Sequence, residues 1–136
     1  MKSEEKIAHL GMIQGVISRM AGNAFLLKGW TITLISAVYL LAAKDSNRVF
    51  VLIGFLSFFA FWILDAYFLR LEKLFRALYE EVANNQTTPV SFSMKIEPYE
   101  AQVDCYLNIL FSQTLLVFYF PILVLLLALS VVFYLS

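Results

Sequence analysis

The sequence predicts an all-α integral membrane protein, and three observations carry that reading. Three long apolar stretches, 24–43, 49–69 and 106–135, each supply the roughly 20 residues a helix needs to cross a bilayer's hydrocarbon. Hydrophobic residues make up 61% of the 136-residue chain, and the mean hydropathy is +0.78, above the ordinary range of soluble domains. A soluble domain of this size has no interior large enough to bury three such segments. The predicted layout is one membrane domain over 1–136. It has an amphipathic helix at 3–23, a first span at 24–43 and a second at 49–69 that continues as helix to 83. A cytoplasmic linker at 84–98 and a third span at 106–135 complete it.

The N-terminal helix starts with a capping residue, Ser3, followed by Glu4 and Glu5 at its positive end. Leu10, Ile13, Ile17, Met20, Ala24 and Leu27 then recur at spacings of three and four, which is a helix-packing seam. A second series, Ala8, Gly11, Gly15, Ser18 and Gly22, has the same spacing on nearly the opposite face. It contains the small-xxx-small pattern Gly11-x-x-x-Gly15, which lets helices approach closely. Packing against a neighbouring subunit and packing beneath the chain's own hairpin both remain open for this face. Gly22-Asn23 either bends the chain before the first span or lies within one straight helix.

The five residues Lys44 to Arg48 are short enough to make the first two spans an antiparallel hairpin. Folding the sequence about Ser46 sets Trp30 and Trp62 at equal distance from the turn, 16 residues each. The two then form an aromatic belt at one interface. Lys28 and Asp65, 18 and 19 residues from the turn, are expected to face each other, because an ionisable group within a span is costly unless paired. This pair either locks the hairpin, takes part in an ion path through Asp65, or joins two subunits. Lys and Arg number four before or at the first span, two in the first loop, four in the second loop and none at the C-terminus. That alternation predicts a cytoplasmic N-terminus and an outside C-terminus in a bacterial inner membrane.

Past the second span, Leu71, Leu74, Phe75, Leu78 and Val82 keep a helical stripe, and Glu72 can pair with Arg76 one turn on. A helix over 49–83 would be about 50 Å long and would stand out of the bilayer. Its stripe is expected to meet the N-terminal helix or the same helix of another subunit; an interfacial helix lying on the membrane is the alternative. Asn84 to Pro89 then form a loop. In Val90–Ile96, Val90, Phe92, Met94 and Ile96 alternate with polar residues in strict period two. The stretch reads as a strand added to a partner or as an extended linker with its apolar side on the helices.

The chain from Tyr99 onward is expected to enter the membrane as a helix with Asn108 and Ser112 sharing a face one turn apart. With Gln113 they bond between helices or form a polar lining. Pro121 predicts a kink. Cys105 reads as an inert thiol near the inner interface.

Composition also limits the chemistry. The formal net charge is zero, so nothing argues for nucleic acid or an anionic substrate. One cysteine and one histidine argue against a disulfide or a metal site. No phosphate-cradling glycine loop, HExxH or GxSxG motif is present, and Glu80-Glu81 reads as a solvated helix end. No catalytic residue, cofactor or metal is expected, and the chain does not read as an enzyme.

His9 to Trp30, HLGMIQGVISRMAGNAFLLKGW, and Phe61 to Val82, FWILDAYFLRLEKLFRALYEEV, together with SQTLLVFY at Ser112 to Tyr119, resemble a family of small bacterial three-span membrane proteins. The layout also loosely resembles SLATT modules, which are helix–hairpin–helix membrane effectors of bacterial conflict systems; the third span departs from that pattern. The two-faced N-terminal helix, the long helical extension and the missing catalytic site predict a homo-oligomeric inner-membrane protein that forms or gates a pore or perturbs the membrane, and the SLATT likeness adds a defence effector as one form of it. A membrane adaptor that docks a cytoplasmic protein is the second expectation and a small transporter the third. The expected partners are the lipid bilayer, further copies of the chain and, for the adaptor, a cytoplasmic protein.

Overall fold

The computed structural model describes residues 2–85 and 91–136. These form four α-helices: α1 (Lys2–Asp45), α2 (Arg48–Asn84), α3 (Tyr106–Leu110) and α4 (Gln113–Leu135), with a single 3-10 turn at Glu97–Tyr99. The described residues contain no strand. Three of the helices, α1, α2 and α4, are long and apolar enough to cross a membrane.

The N-terminal segment and the first apolar stretch are one helix of 44 residues. Gly22-Asn23 does not interrupt it. A glycine inside a helix costs about 1 kcal/mol relative to alanine, a small penalty for a helix packed along its length. The seam read from the sequence is the packed face: Ile13 and Ile17 are buried, and Leu10, Met20, Ala24 and Leu27 are half-buried.

Two residues join α1 to α2. Ser46 takes a left-handed backbone conformation with φ of 50°, which ends α1. Asn47 starts α2, its side chain accepting a hydrogen bond from Val49 N at 3.0 Å. From this turn the helices run side by side in opposite directions. Gly54 lies against Tyr39, Lys28 meets Asp65, and Lys6 reaches the far end of α2. A Cβ on Gly54 would stand 2.9 Å from the Tyr39 ring, so glycine sets the close approach of α1 and α2 there. At the opposite end Lys6 Nζ donates to Ala83 O at 2.7 Å and Asn85 O at 3.1 Å. It thereby satisfies carbonyls that the last turn of α2 leaves open.

The stripe on the far half of α2 is covered by the first half of α1. Ile13, Ile17, Leu74, Leu78 and Tyr99 form a buried cluster, with Leu71, Phe75, Val82, Met94 and Ile96 packed on it. Ser91–Ile96 is irregular chain. Phe92 has φ of 50°, which a strand does not tolerate, and its ring rests 5.5 Å from that of His9. His9 is buried and its Nε2 lies 3.0 Å from Ser93 O. Val90 and Gln86–Pro89 of the sequence reading lie outside the described residues.

The third apolar stretch departs from the expected single helix over 106–135. It is divided at Phe111-Ser112 into the short α3 and the long α4. Ser112 is extended, with ψ of 152°, so the backbone turns before α4 starts. The break frees the carbonyl of Leu110, and Trp62 Nε1 donates to it at 3.1 Å. A side chain of α2 thus replaces the lost helical hydrogen bond. The α4 helix continues through Pro121.

Candidate functional site

The chemistry of the apolar region is concentrated where α1, α2 and α4 meet. Lys28 Nζ of α1 lies 2.6 Å from Asp65 Oδ2 of α2. The Tyr119 hydroxyl of α4 donates to the same oxygen at 2.9 Å. The carboxylate side chain is 1% exposed and the lysine 25%, so the cation reaches inward from the helix surface to an anion fixed in the interior. The Lys28 ammonium also lies 5.8 Å from the centroid of the Phe118 ring, a cation–π contact that lowers its desolvation cost. Thr31, one turn beyond Lys28, is fully buried and returns its hydroxyl to Leu27 O at 2.6 Å. Asp65 Oδ1 is buried and has no hydrogen-bond partner among the described residues.

Aromatic rings enclose this cluster. Phe58 and Trp62 of α2 pack on Tyr119 with centroids 5.7 Å and 6.1 Å away, and Phe111 meets Trp62 edge-on at 5.7 Å. Breaking a buried ion pair by deleting one partner strands the other charge, and typically costs about 3–5 kcal/mol. The arrangement therefore holds three helices in one register. Closer to the turn, the Tyr39 hydroxyl meets Ser130 Oγ at 3.1 Å, and Arg48 stacks over Tyr134 at 4.7 Å, joining the turn to the end of α4.

The other residues singled out from the sequence are placed as follows. Lys28 and Asp65 are brought together. Trp30 is 63% exposed, whereas Trp62 is half-buried and bonded to Leu110, so the two rings matched in height do different work. Ala8, Gly11, Gly15, Ser18 and Gly22 are all exposed. No atom lies within 4 Å of where a Cβ would stand on Gly11, Gly15 or Gly22. The hairpin therefore does not cover this face, contrary to the reading that put it beneath the chain's own helices. Asn108, expected to share a face of one helix with Ser112, is exposed on α3, and Gln113 is exposed at the start of α4. Ser112 sits in the break between the two helices, its Oγ buried without a partner among the described residues. The backbone turn separates the shared face on which a polar lining would depend. Cys105 is a free, exposed thiol. Among the described residues, no three His, Cys, Asp or Glu side chains are placed to hold a metal ion.

Tyr119, Thr31, Tyr39 and Gly54 were not singled out by sequence. Tyr119 ends SQTLLVFY, where a hydroxyl directly after the apolar run Leu115–Phe118 was the available signal. No family model, curated protein or solved structure matches the chain. The likeness to three-span bacterial proteins and SLATT modules rests on the sequence segments and layout that suggested it.

Proposed function

We propose that this chain is a multi-pass protein of the bacterial inner membrane that works as an assembly of copies and forms or gates a pore. The observation that carries the reading is the uncovered face of α1. Its small-residue series is interrupted after Gly22 by the exposed Phe25 and Leu26 and then resumes. Gly29, Thr33 and Ser36 continue it in helical register into the apolar half, and all three are exposed. Small residues let a second helix approach closely; the Thr33 hydroxyl returns to Gly29 O at 2.9 Å, which leaves the Ser36 hydroxyl to bond to a neighbour or face a wet path. The opposite face of the same helix is occupied by α2.

The orientation follows the basic residues, with the N-terminus and the α2 extension cytoplasmic and the C-terminus outside. Arg48, which this orientation leaves near the outer surface, has the Tyr134 ring as its partner. A defence effector of the kind the layout resembles would use such an assembly to dissipate the membrane potential. The adaptor reading has less to dock on, because Met94 and Ile96 pack against the chain's own helices. An ion path through Asp65 within one protomer is also poorly supported, since its carboxylate is enclosed and already paired.

Open space at Gly15 makes the test specific. Gly15→Ile should leave the protomer folded yet weaken the assembly. Regulated expression should depolarise cells carrying the parent chain, and native mass spectrometry from nanodiscs should give oligomers. Gly15→Ile should lose both at equal membrane insertion. An unchanged membrane potential at high, correctly inserted parent expression refutes the pore, and a monomer in nanodiscs refutes the assembly.

A further inference from the structure

From the residues of one exposed groove, we infer that α2 and α3 form a binding site for an anionic phospholipid, with an acyl chain along the groove and the phosphate on Arg70. The groove has a volume of about 580 Å³ and is lined by Ala60, Ile63, Leu64, Tyr67 and Tyr106. It is almost wholly apolar, and the Tyr106 hydroxyl at its edge is engaged, donating to Ile63 O. Ile63, Tyr67 and Arg70 stand at i, i+4 and i+7, so they share a face of α2, with Arg70 at the end nearer the extension.

Arg70 is the unusual member. It is half-buried, its Nε is buried without a partner, and no ion pair or hydrogen bond reaches it among the described residues. The acids on neighbouring turns of α2 are engaged elsewhere, Asp65 with Lys28 and Glu72 with Arg76. A guanidinium at the end of an apolar span, whose Nε is covered by the chain itself and whose other nitrogens have no protein acceptor, leaves its outer donors for a phosphate of the bilayer. A phosphate matches its planar fork of donors. A headgroup without a compensating ammonium also retains its full charge for the contact. The apolar groove selects a lipid over a free phosphate, because it gives the acyl chain a place beside the headgroup.

The inference rests on the reading that α2 crosses a bilayer. The test is native mass spectrometry of the full chain ejected from nanodiscs containing phosphatidylglycerol and phosphatidylcholine with identical acyl chains. The parent should retain phosphatidylglycerol preferentially. Arg70→Gln should lower that preference about tenfold, the loss of one charge-assisted contact. Lys73→Gln, which removes a neighbouring cation, should leave it unchanged. Ala60→Trp, which fills the groove, should lower retention of both lipids, and excess glycerol phosphate should displace neither. Equal preference in the parent and Arg70→Gln overturns the site, as does an equal loss in Lys73→Gln. Displacement by glycerol phosphate overturns the role of the acyl chain. A chain that stays out of the discs overturns the membrane reading and this inference with it. A chain that enters them but retains both lipids equally overturns the inference alone.

Discussion

The hairpin of α1 and α2 is held together by different chemistry at its two ends. Away from the turn, Ile13, Ile17, Leu74 and Leu78 interdigitate as in a soluble helical pair, closed by Tyr99 and by Lys6 on the last carbonyls of α2. Towards the turn, the contact depends on an ion pair, a tyrosine hydroxyl and a glycine that admits a ring. Water and lipid each favour one of these two chemistries. In water, burying apolar stripes drives association at about 25 cal/mol per Å². In lipid that force between helices is absent, so close packing and polar links must do the joining.

The largest break in this comparison should come from Lys28→Met. Stranding the Asp65 carboxylate should destabilise the apolar half by about 4 kcal/mol, read by unfolding in mixed micelles. Restoring most of that stability with Lys28→Met/Asp65→Leu would show that the pair's main contribution is specificity. An undiminished Lys28→Met protein would show that the pair does not hold the helices.

Leu74→Ala should cost about 3 kcal/mol and act on the other half. Hydrogen exchange should quicken in 5–20 and 70–84 and stay slow in 54–66. Uniform loss of protection would mean that the two halves unfold as one unit. Trp62→Phe keeps a ring but removes the donor to Leu110 O, and should cost about 1 kcal/mol. The loss should appear as faster exchange around 108–114.

The smallest effect is a pH dependence of the extension. The Tyr99 hydroxyl is held above its ordinary value of 10.0 by burial, and then by a hydrogen bond from it to Glu81 and that residue's negative charge. The neutral hydroxyl is favoured in the fold, so its contribution is complete below pH 10 and declines as pH rises through the raised value. Tyr99→Phe should remove this alkaline component, measured by tyrosinate absorbance and by exchange at 70–84.

The parts of this architecture that follow a period were legible in sequence. The seam from Leu10 to Leu27 and the stripe from Leu71 to Val82 obey helical spacing and find each other. Equal distances from Ser46 were enough to bring Lys28 to Asp65, because two straight helices from a tight turn stay in step. Contacts that depend on side-chain direction across helices were not legible. Nothing local marks Tyr119 as the second donor to Asp65, or Gly54 as the seat of the Tyr39 ring. The break at Phe111-Ser112 contains neither glycine nor proline. The Trp62 bond to Leu110 comes from another helix, invisible to a reading along one segment. For Ser91–Ile96 the linker alternative is the one observed: Met94 and Ile96 pack on the helix pair, while Phe92 is 42% exposed and Ser93 O meets His9.

The continuity of α1 has a mechanical consequence. At 1.5 Å per residue, its 44 residues form a rod about 66 Å long. With no hinge at Gly22-Asn23, a push on the half that carries Gly11 and Gly15 cannot be absorbed midway. It would pass along the rod to the half that carries Lys28. A change at one end would then be felt at the other as leverage, without any messenger between the two.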